Sequence, residues 1–191
     1  THGHQDHRAG DPLFAALPNT EILATPTGTI ELGDREVQVI PAPGHHPDHV
    51  LFYDEQSQAL FTGDFLLRGR LLVDDIDAYR QSAQRVSEFV AKHPVSHVLG
   101  AHIELDISGN PFPGGATFHP NESLRPLTIF DVQALPPALE NFNGFYSRYP
   151  NFIVVNPIHN LLAIAAGVTV MLALLGWAAR RWWKRRRTAT A

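Results

Sequence analysis

The chain opens Thr1-His2-Gly3-His4-Gln5-Asp6-His7. Three imidazoles and a carboxylate fall between positions 2 and 7. Imidazole nitrogen and carboxylate oxygen are good donors for zinc and comparable divalent ions. His2 and His4 can aim at one ion. Asp6 and His7, further along the backbone, can aim at another. A purification remnant would repeat His rather than interleave Asp, so a solvated His-rich tail is a poor account of this stretch. The chain carries 11 His in 191 residues, and their clustering matters more than their number.

Three further elements follow. They are Pro43-Gly44-His45, Thr62-Gly63-Asp64, and His102 after the β-like run Val98-Leu99-Gly100-Ala101. In this order, with the opening string, they resemble the metal motif of the metallo-β-lactamase superfamily. Their content is nearest to the hydroxyacylglutathione hydrolases. The resemblance covers roughly residues 1–106. It implies an α/β fold, the αββα metallo-β-lactamase sandwich. It also implies two metal sites. His2, His4 and His45 would hold the first ion, Asp6, His7 and His102 the second, and Asp64 would bridge them. Asp6 and Asp64 would be the catalytic carboxylates, with Asp6 orienting the attacking water. The implied cofactor is two divalent ions. Zn is the default for these donors, and Fe or Mn suits the same set. Two close cations generate hydroxide at neutral pH and polarise a carbonyl. The implied activity is a metal-dependent hydrolase whose metal-bound hydroxide cleaves a small ester, thioester, lactone or amide. Two alternatives share the pattern: a persulfide dioxygenase with one iron, and a membrane-anchored scaffold without catalysis.

Departures from the family pattern mark other residues. His46 stands where the family often has Ser or Thr, and Asp48 where Gly is common. His46 and His49 are assigned to supporting the ligands rather than binding metal. Ile103-Glu104 replaces a Gly-rich turn, and Glu104 is expected to be an exposed loop residue. Arg68 and Arg70 are expected to form a solvated surface pair, with an anionic substrate as the alternative. His93, His97, His119 and His159 have no motif around them and are read as ordinary His.

The rest of the chain supplies a scaffold. Thr1–Gly10 reads as loop and Pro12–Leu17 as a short helix. Strands are expected at Glu21–Thr25, Thr29–Leu32, Glu36–Pro41, Val50–Tyr53, Ala59–Thr62 and Val95–Gly100, with Gly33-Asp34 as a hairpin turn. Asp74 or Asp75 can cap a helix running to about Lys92. Ile76, Tyr79, Ala83, Val86 and Val90 give it one apolar face. A further helix is expected near Leu127–Leu135. The family's first strands have no counterpart in the given sequence, and residue 1 is not Met. The sandwich is therefore expected to depend on upstream sequence and to expose apolar surface.

Four segments result: a metal-binding domain over 1–110, a Pro/Gly-rich extension or linker over 111–157, a transmembrane helix over 158–179, and a basic tail over 180–191. Leu161 to Ala179 carries no charge, which is long enough to span a bilayer core. Trp177, Trp182 and Trp183 lie at its end among Arg180, Arg181, Lys184 and Arg185–Arg187. The aromatics suit a membrane interface, and the basic cluster marks its cytoplasmic side. The chain is therefore expected to be a single-pass membrane protein with its tail in the cytoplasm and its metal domain outside, in the periplasm. The net charge of −4 hides this split. Without the tail, nine basic residues face nineteen acidic ones, a net −10. A body that acidic excludes phosphate-backbone binding as a main role. The expected partners are a small-molecule substrate and a lipid bilayer, with no nucleic acid. The chain has no Cys, so thiolate ligands and disulfides are excluded.

Overall fold

The computed structural model describes residues 1–24 and 26–189 and divides into two compact units, Thr1–Asn156 and Pro157–Ala191. In the first unit, helices α1 (Gln5–Arg8) and α2 (Asp11–Ala15) precede a hairpin of β1 (Gly28–Leu32) and β2 (Arg35–Pro41). Gly33, at φ 69°, turns this hairpin, because a residue without Cβ adopts positive φ at no steric cost. Then come β3 (Val50–Asp54), β4 (Ala59–Gly63), β5 (Arg70–Leu72), α3 (Ile76–Val90) and β6 (His97–Gly100). One sheet has the order β1-β2-β3-β4-β6. Its pairs are antiparallel except β4 and β6, which run parallel with α3 in the connection between them. Parallel neighbours need such a crossover.

Period-two alternation gives this sheet two unlike faces. Leu51, Tyr53, Leu60 and Val98 are buried in the core with Tyr79, Ala83, Val86 and Val90 of α3. On the other face Val39, Phe52, Phe61 and Leu99 stand in register across four strands. There Phe61 is 41% exposed and Leu99 45%. The side chain of Asp75 accepts the backbone N–H groups of Asp77 and Ala78 at 3.0 Å, which starts α3 at the place expected for a cap.

Residues 111–156 add α4 (Ile129–Glu140), β7 (Tyr146–Arg148) and β8 (Ile153–Val155). α4 packs on α3 through Val132, Leu135 and Leu139. β5, β8 and β7 form a second sheet.

Several local expectations are corrected. Residues 21–24 form no strand, and Thr25 lies outside the described residues. Among the described residues β1 pairs only with β2, and the carbonyl of Ala24 accepts Arg8 Nη1 at 3.2 Å, so residues 21–24 bond to a side chain rather than a ladder. Gln5–Arg8 forms one helical turn inside the expected loop. α4 runs to Glu140, past Pro136 and Pro137. Burial of Leu135, Ala138 and Leu139 holds its last turns although the prolines remove two donors. Arg68 is buried rather than at the surface. Its guanidinium donates to Arg125 O (2.9 Å) and Asn151 Oδ1 (3.1 Å), so its desolvation is offset by distant partners.

The second unit is one helix, α5 (Pro157–Ala189). Its stretch Pro157–Trp183, whose most apolar 18-residue window has mean hydropathy 2.2, is long and apolar enough to cross a membrane. The helix continues through residues 180–189, the start of the expected basic tail.

Candidate metal centre

Four loops and the single turn of α1 deliver seven candidate donor side chains to one place. The first carries His2 and His4 and is tied down by Val50 N–H donating to Thr1 O at 2.9 Å. Thr1 Oγ1 lies 3.1 Å from His2 Nδ1 and 3.2 Å from His7 Nδ1. Both rings therefore turn Nε2 inward. The turn of α1 brings Asp6 and His7 round beside them.

The second loop follows β2. Gly44 has φ 136°, and a Cβ there would lie 2.4 Å from Tyr79 Cα. Its carbonyl accepts the N–H groups of Asp74 (2.9 Å) and Asp75 (3.0 Å). The turn is thus pressed onto the start of α3, and only Gly fits. His45 follows, and its Nδ1 donates to Leu72 O at 3.0 Å. That bond sets the tautomer and leaves the Nε2 lone pair facing the cluster. The third loop leaves β4 and presents Asp64, which is buried. The fourth leaves β6 and presents His102, anchored through Ala101 N–H to Gly63 O at 3.1 Å.

The donors form two groups. His2, His4, His45 and Asp64 make one, and Asp6, His7, Asp64 and His102 the other. Within each group the donor atoms lie within 4.8 Å of one another, and Asp64 belongs to both. In the first group His2 Nε2 is 2.7 Å from His4 Nδ1 and 3.2 Å from His45 Nε2. His45 Nε2 lies 3.5 Å from Asp64 Oδ2. In the second, Asp64 Oδ2 lies 3.3 Å from His7 Nε2, and His102 Nε2 is 3.4 Å from Asp6 Oδ2 and 3.5 Å from Asp64 Oδ1.

These separations fit metal binding. Four donors at about 2.0–2.1 Å around a tetrahedral ion lie roughly 3.3 Å apart. Electrostatics agree. Burial, then the neighbouring His7, His45 and His4, push His2 down to about 3. Burial also lowers His45, against the opposing pull of the Leu72 carbonyl and Asp64. Burial raises Asp6, but its own backbone N–H and the nearby His7 and His102 outweigh that and lower it. Neutral imidazoles and ionised carboxylates are the forms that bind metal. Among the described residues, His7 Nε2 and Asp64 Oδ1 are buried without a hydrogen-bond partner. Such orphans are costly unless a group such as a cation meets them.

All seven donors expected from the sequence are thus brought together. His46 and His49 lie just behind them. His49 is buried, stacks on His2 at 4.9 Å, and is pushed down to about 2 mainly by burial.

A cleft of about 550 Å³ opens over the cluster. Its far wall includes Arg70, Glu104, His119 and Glu122. Here two expectations change. Glu104 is not a free loop residue: its Oε2 accepts both the backbone N–H and Nε of Arg70 at 2.9 Å. Arg70 Nη1 donates to Phe112 O at 2.8 Å, so Arg70 is a fastened wall residue rather than half of a surface pair. His119, read as ordinary, also lines the cleft. It stacks on Phe112 at 4.4 Å and lies 3.3 Å from Glu122. No motif marks it, because loop packing alone brings it there. His93, by contrast, bonds Phe89 O and stacks on Phe89, away from the cleft.

The profile of the family described as "Metallo-beta-lactamase superfamily" matches residues 16–117, which include His45, Asp64 and His102. A hydroxyacylglutathione hydrolase from Cereibacter sphaeroides is 31% identical over 156 residues, 72% of this chain and 58% of that protein. An acyl-coenzyme A thioesterase from Gallus gallus is 31% identical over 80 residues, 40% of this chain and 29% of that one. The chain therefore spans little more than half the length of the first of these relatives. A solved metallo-β-lactamase from Pontibacter korlensis has 19% identity and a TM-score of 0.44, covering 74% of this chain and 67% of that one.

Proposed function

Because the chain belongs to the metallo-β-lactamase superfamily, we propose that its cluster holds two divalent ions, Zn by donor type, and hydrolyses a small ester, thioester, lactone or amide. The observation that carries this reading is the pair of donor groups sharing Asp64 beneath one cleft. His2, His4 and His45 would hold one ion, and Asp6, His7 and His102 the other. When bound, such ions acidify a shared water and polarise the scissile carbonyl.

The chain's own residues supply position and proton handling. Asp64 offers one carboxylate to both groups, so it sets their spacing. His45 is held in one tautomer by Leu72 O. Asp6 is the more exposed carboxylate, with a side chain 58% exposed against 11% for Asp64. It can therefore accept a proton from the attacking water and pass it to solvent. The Arg70–Glu104 pair closes the far side of the cleft and limits what a substrate can reach. Relatives named for hydrolysing an acylglutathione and an acyl-coenzyme A support the thioester end of the range. We further read α5 as a bilayer anchor with its basic end in the cytoplasm, which puts the metal domain on the other side.

The test is a hydrolysis screen of the full chain in detergent against matched esters, thioesters, lactones and amides. Chelator-sensitive turnover restored by added zinc is expected. Turnover that ignores both chelation and Asp64→Ala would refute the metal-dependent mechanism.

A further inference from the structure

The turn that presents His45 continues His46-Pro47-Asp48-His49. Asp48 reaches across to the opening loop. Its Oδ1 accepts the backbone N–H of Gly3 at 3.2 Å and also pairs with Nδ1 of His46. Gly3 is the residue between His2 and His4. The contact is close: a Cβ on Gly3 would sit 3.2 Å from both Asp48 Oδ2 and His46 Cε1. The His46 ring stands edge-on to His4, with centroids 4.8 Å apart and planes at 76°. It also lies 5.6 Å from the His2 ring. Neither His46 nor Asp48 belongs to either donor group.

Thr1 O is held by Val50 N–H and His4 O by the N–H groups of His7 and Arg8, and between them Asp48 is the side chain that bonds the backbone of Gly3. His2 and His4 lie ahead of α1, and His4, its N-cap, makes no side-chain capping bond. Ordering a residue's backbone costs about 1–2 kcal/mol. A loop that must be ordered on metal binding takes that cost out of the affinity, whereas a loop already held does not. Asp48 bonds the backbone between the two imidazoles, and His46 both orients Asp48 and walls in the His4 ring.

We propose that His46 and Asp48 are a positioning pair that holds the Gly3 backbone, so that His2 and His4 bind the first ion without reordering. This rests on the reading of the cluster as a metal centre. The pair acts through the ligands and touches no substrate.

The experiment measures zinc affinity of the full chain in detergent by competition with a chromogenic chelator. A His7→Ala, His102→Ala background isolates the first donor group. In that background Asp48→Ala is expected to weaken zinc binding by about 10- to 100-fold, the range for groups that orient metal ligands. Asp48→Asn keeps an acceptor for Gly3 N–H and should recover part of the loss. His46→Ala should weaken binding too. The double variant should be little worse than Asp48→Ala, because the two side chains act as one device. The thermal midpoint of the metal-free protein should move little. Affinity within threefold of the background in Asp48→Ala overturns the proposal. So does a loss that matches a general fall in metal-free stability, or additive effects of the two substitutions. No zinc binding in the unsubstituted chain overturns the metal reading itself, and the positioning role with it. Zinc binding indifferent to Asp48 overturns only the latter.

Discussion

Gly44 and Tyr79 meet backbone to backbone: a Cβ on Gly44 would lie 2.4 Å from Tyr79 Cα and 2.6 Å from Tyr79 N. The contact joins the turn that presents His45 to the first turns of α3, so folding of the core places a candidate ligand. Gly44→Ala is expected to destabilise the chain by about 3 kcal/mol or more, adding strain at positive φ to overpacking. Chemical denaturation of the metal-free chain measures this. A loss under about 1 kcal/mol would show that the turn can move away from α3 at little cost.

The Asp54 carboxylate gathers the end of β3 and the start of the next turn. It accepts Ser57 Oγ at 2.6 Å, Arg35 Nη1 at 2.7 Å and Gln56 N–H at 3.1 Å. The Ser57 hydroxyl, and then Arg35, hold it below the usual carboxylate value against the opposing effect of burial. A carboxyl depressed in the folded state stabilises above its unfolded value, and that contribution disappears as pH falls through its folded value. Asp54→Asn should therefore be less stable than the native chain at pH 7, and the gap should close as pH falls through the lowered value of the folded carboxyl. Denaturation curves at several pH values test this. A gap that stays constant with pH would rule out the charge as the cause.

On the cleft wall, Arg70→Met should leave metal content unchanged, because Arg70 bonds Glu104 and Phe112 O rather than any donor of the cluster. It frees Glu104 and loosens the Phe112 loop. KM is expected to rise severalfold, roughly 3- to 10-fold, with a smaller change in kcat, as when binding common to ground and transition states is lost. Metal loss in this variant would place Arg70 in support of the donors instead.

Membrane attachment makes its own prediction. The Pro157–Trp183 stretch should keep the chain in the pellet after alkaline carbonate washing of membranes. Its release into the supernatant would show that α5 does not lie in a bilayer.

The candidate site, as a cluster of His and Asp side chains, was more legible in the sequence than the scaffold around it. Metal chemistry demands particular atoms, so His2, His4, Asp6 and His7 advertise themselves even without periodicity. The Gly33-Asp34 hairpin and the apolar face of α3 were legible because each has a local physical cause. β5, β7 and β8 were not, since three-residue strands are too short to show alternation. Distant partners hid Arg68, whose carbonyl and amide acceptors lie 57 and 83 residues away. His119 was missed for the same reason: its stacking on Phe112 and its place on the cleft wall are set by the path of a Pro- and Gly-rich loop. In α4, buried Leu135 and Leu139 outweighed the stop signal of Pro136-Pro137.

On the proposed reading, seven side chains hold two ions around Asp64. Elemental analysis tests it most directly, on the full chain purified from detergent without chelator, beside a His4→Ala, Asp64→Ala double variant. Close to two equivalents of zinc per chain, lost in the variant, is the predicted result. A single iron, or no metal in either protein, would contradict it.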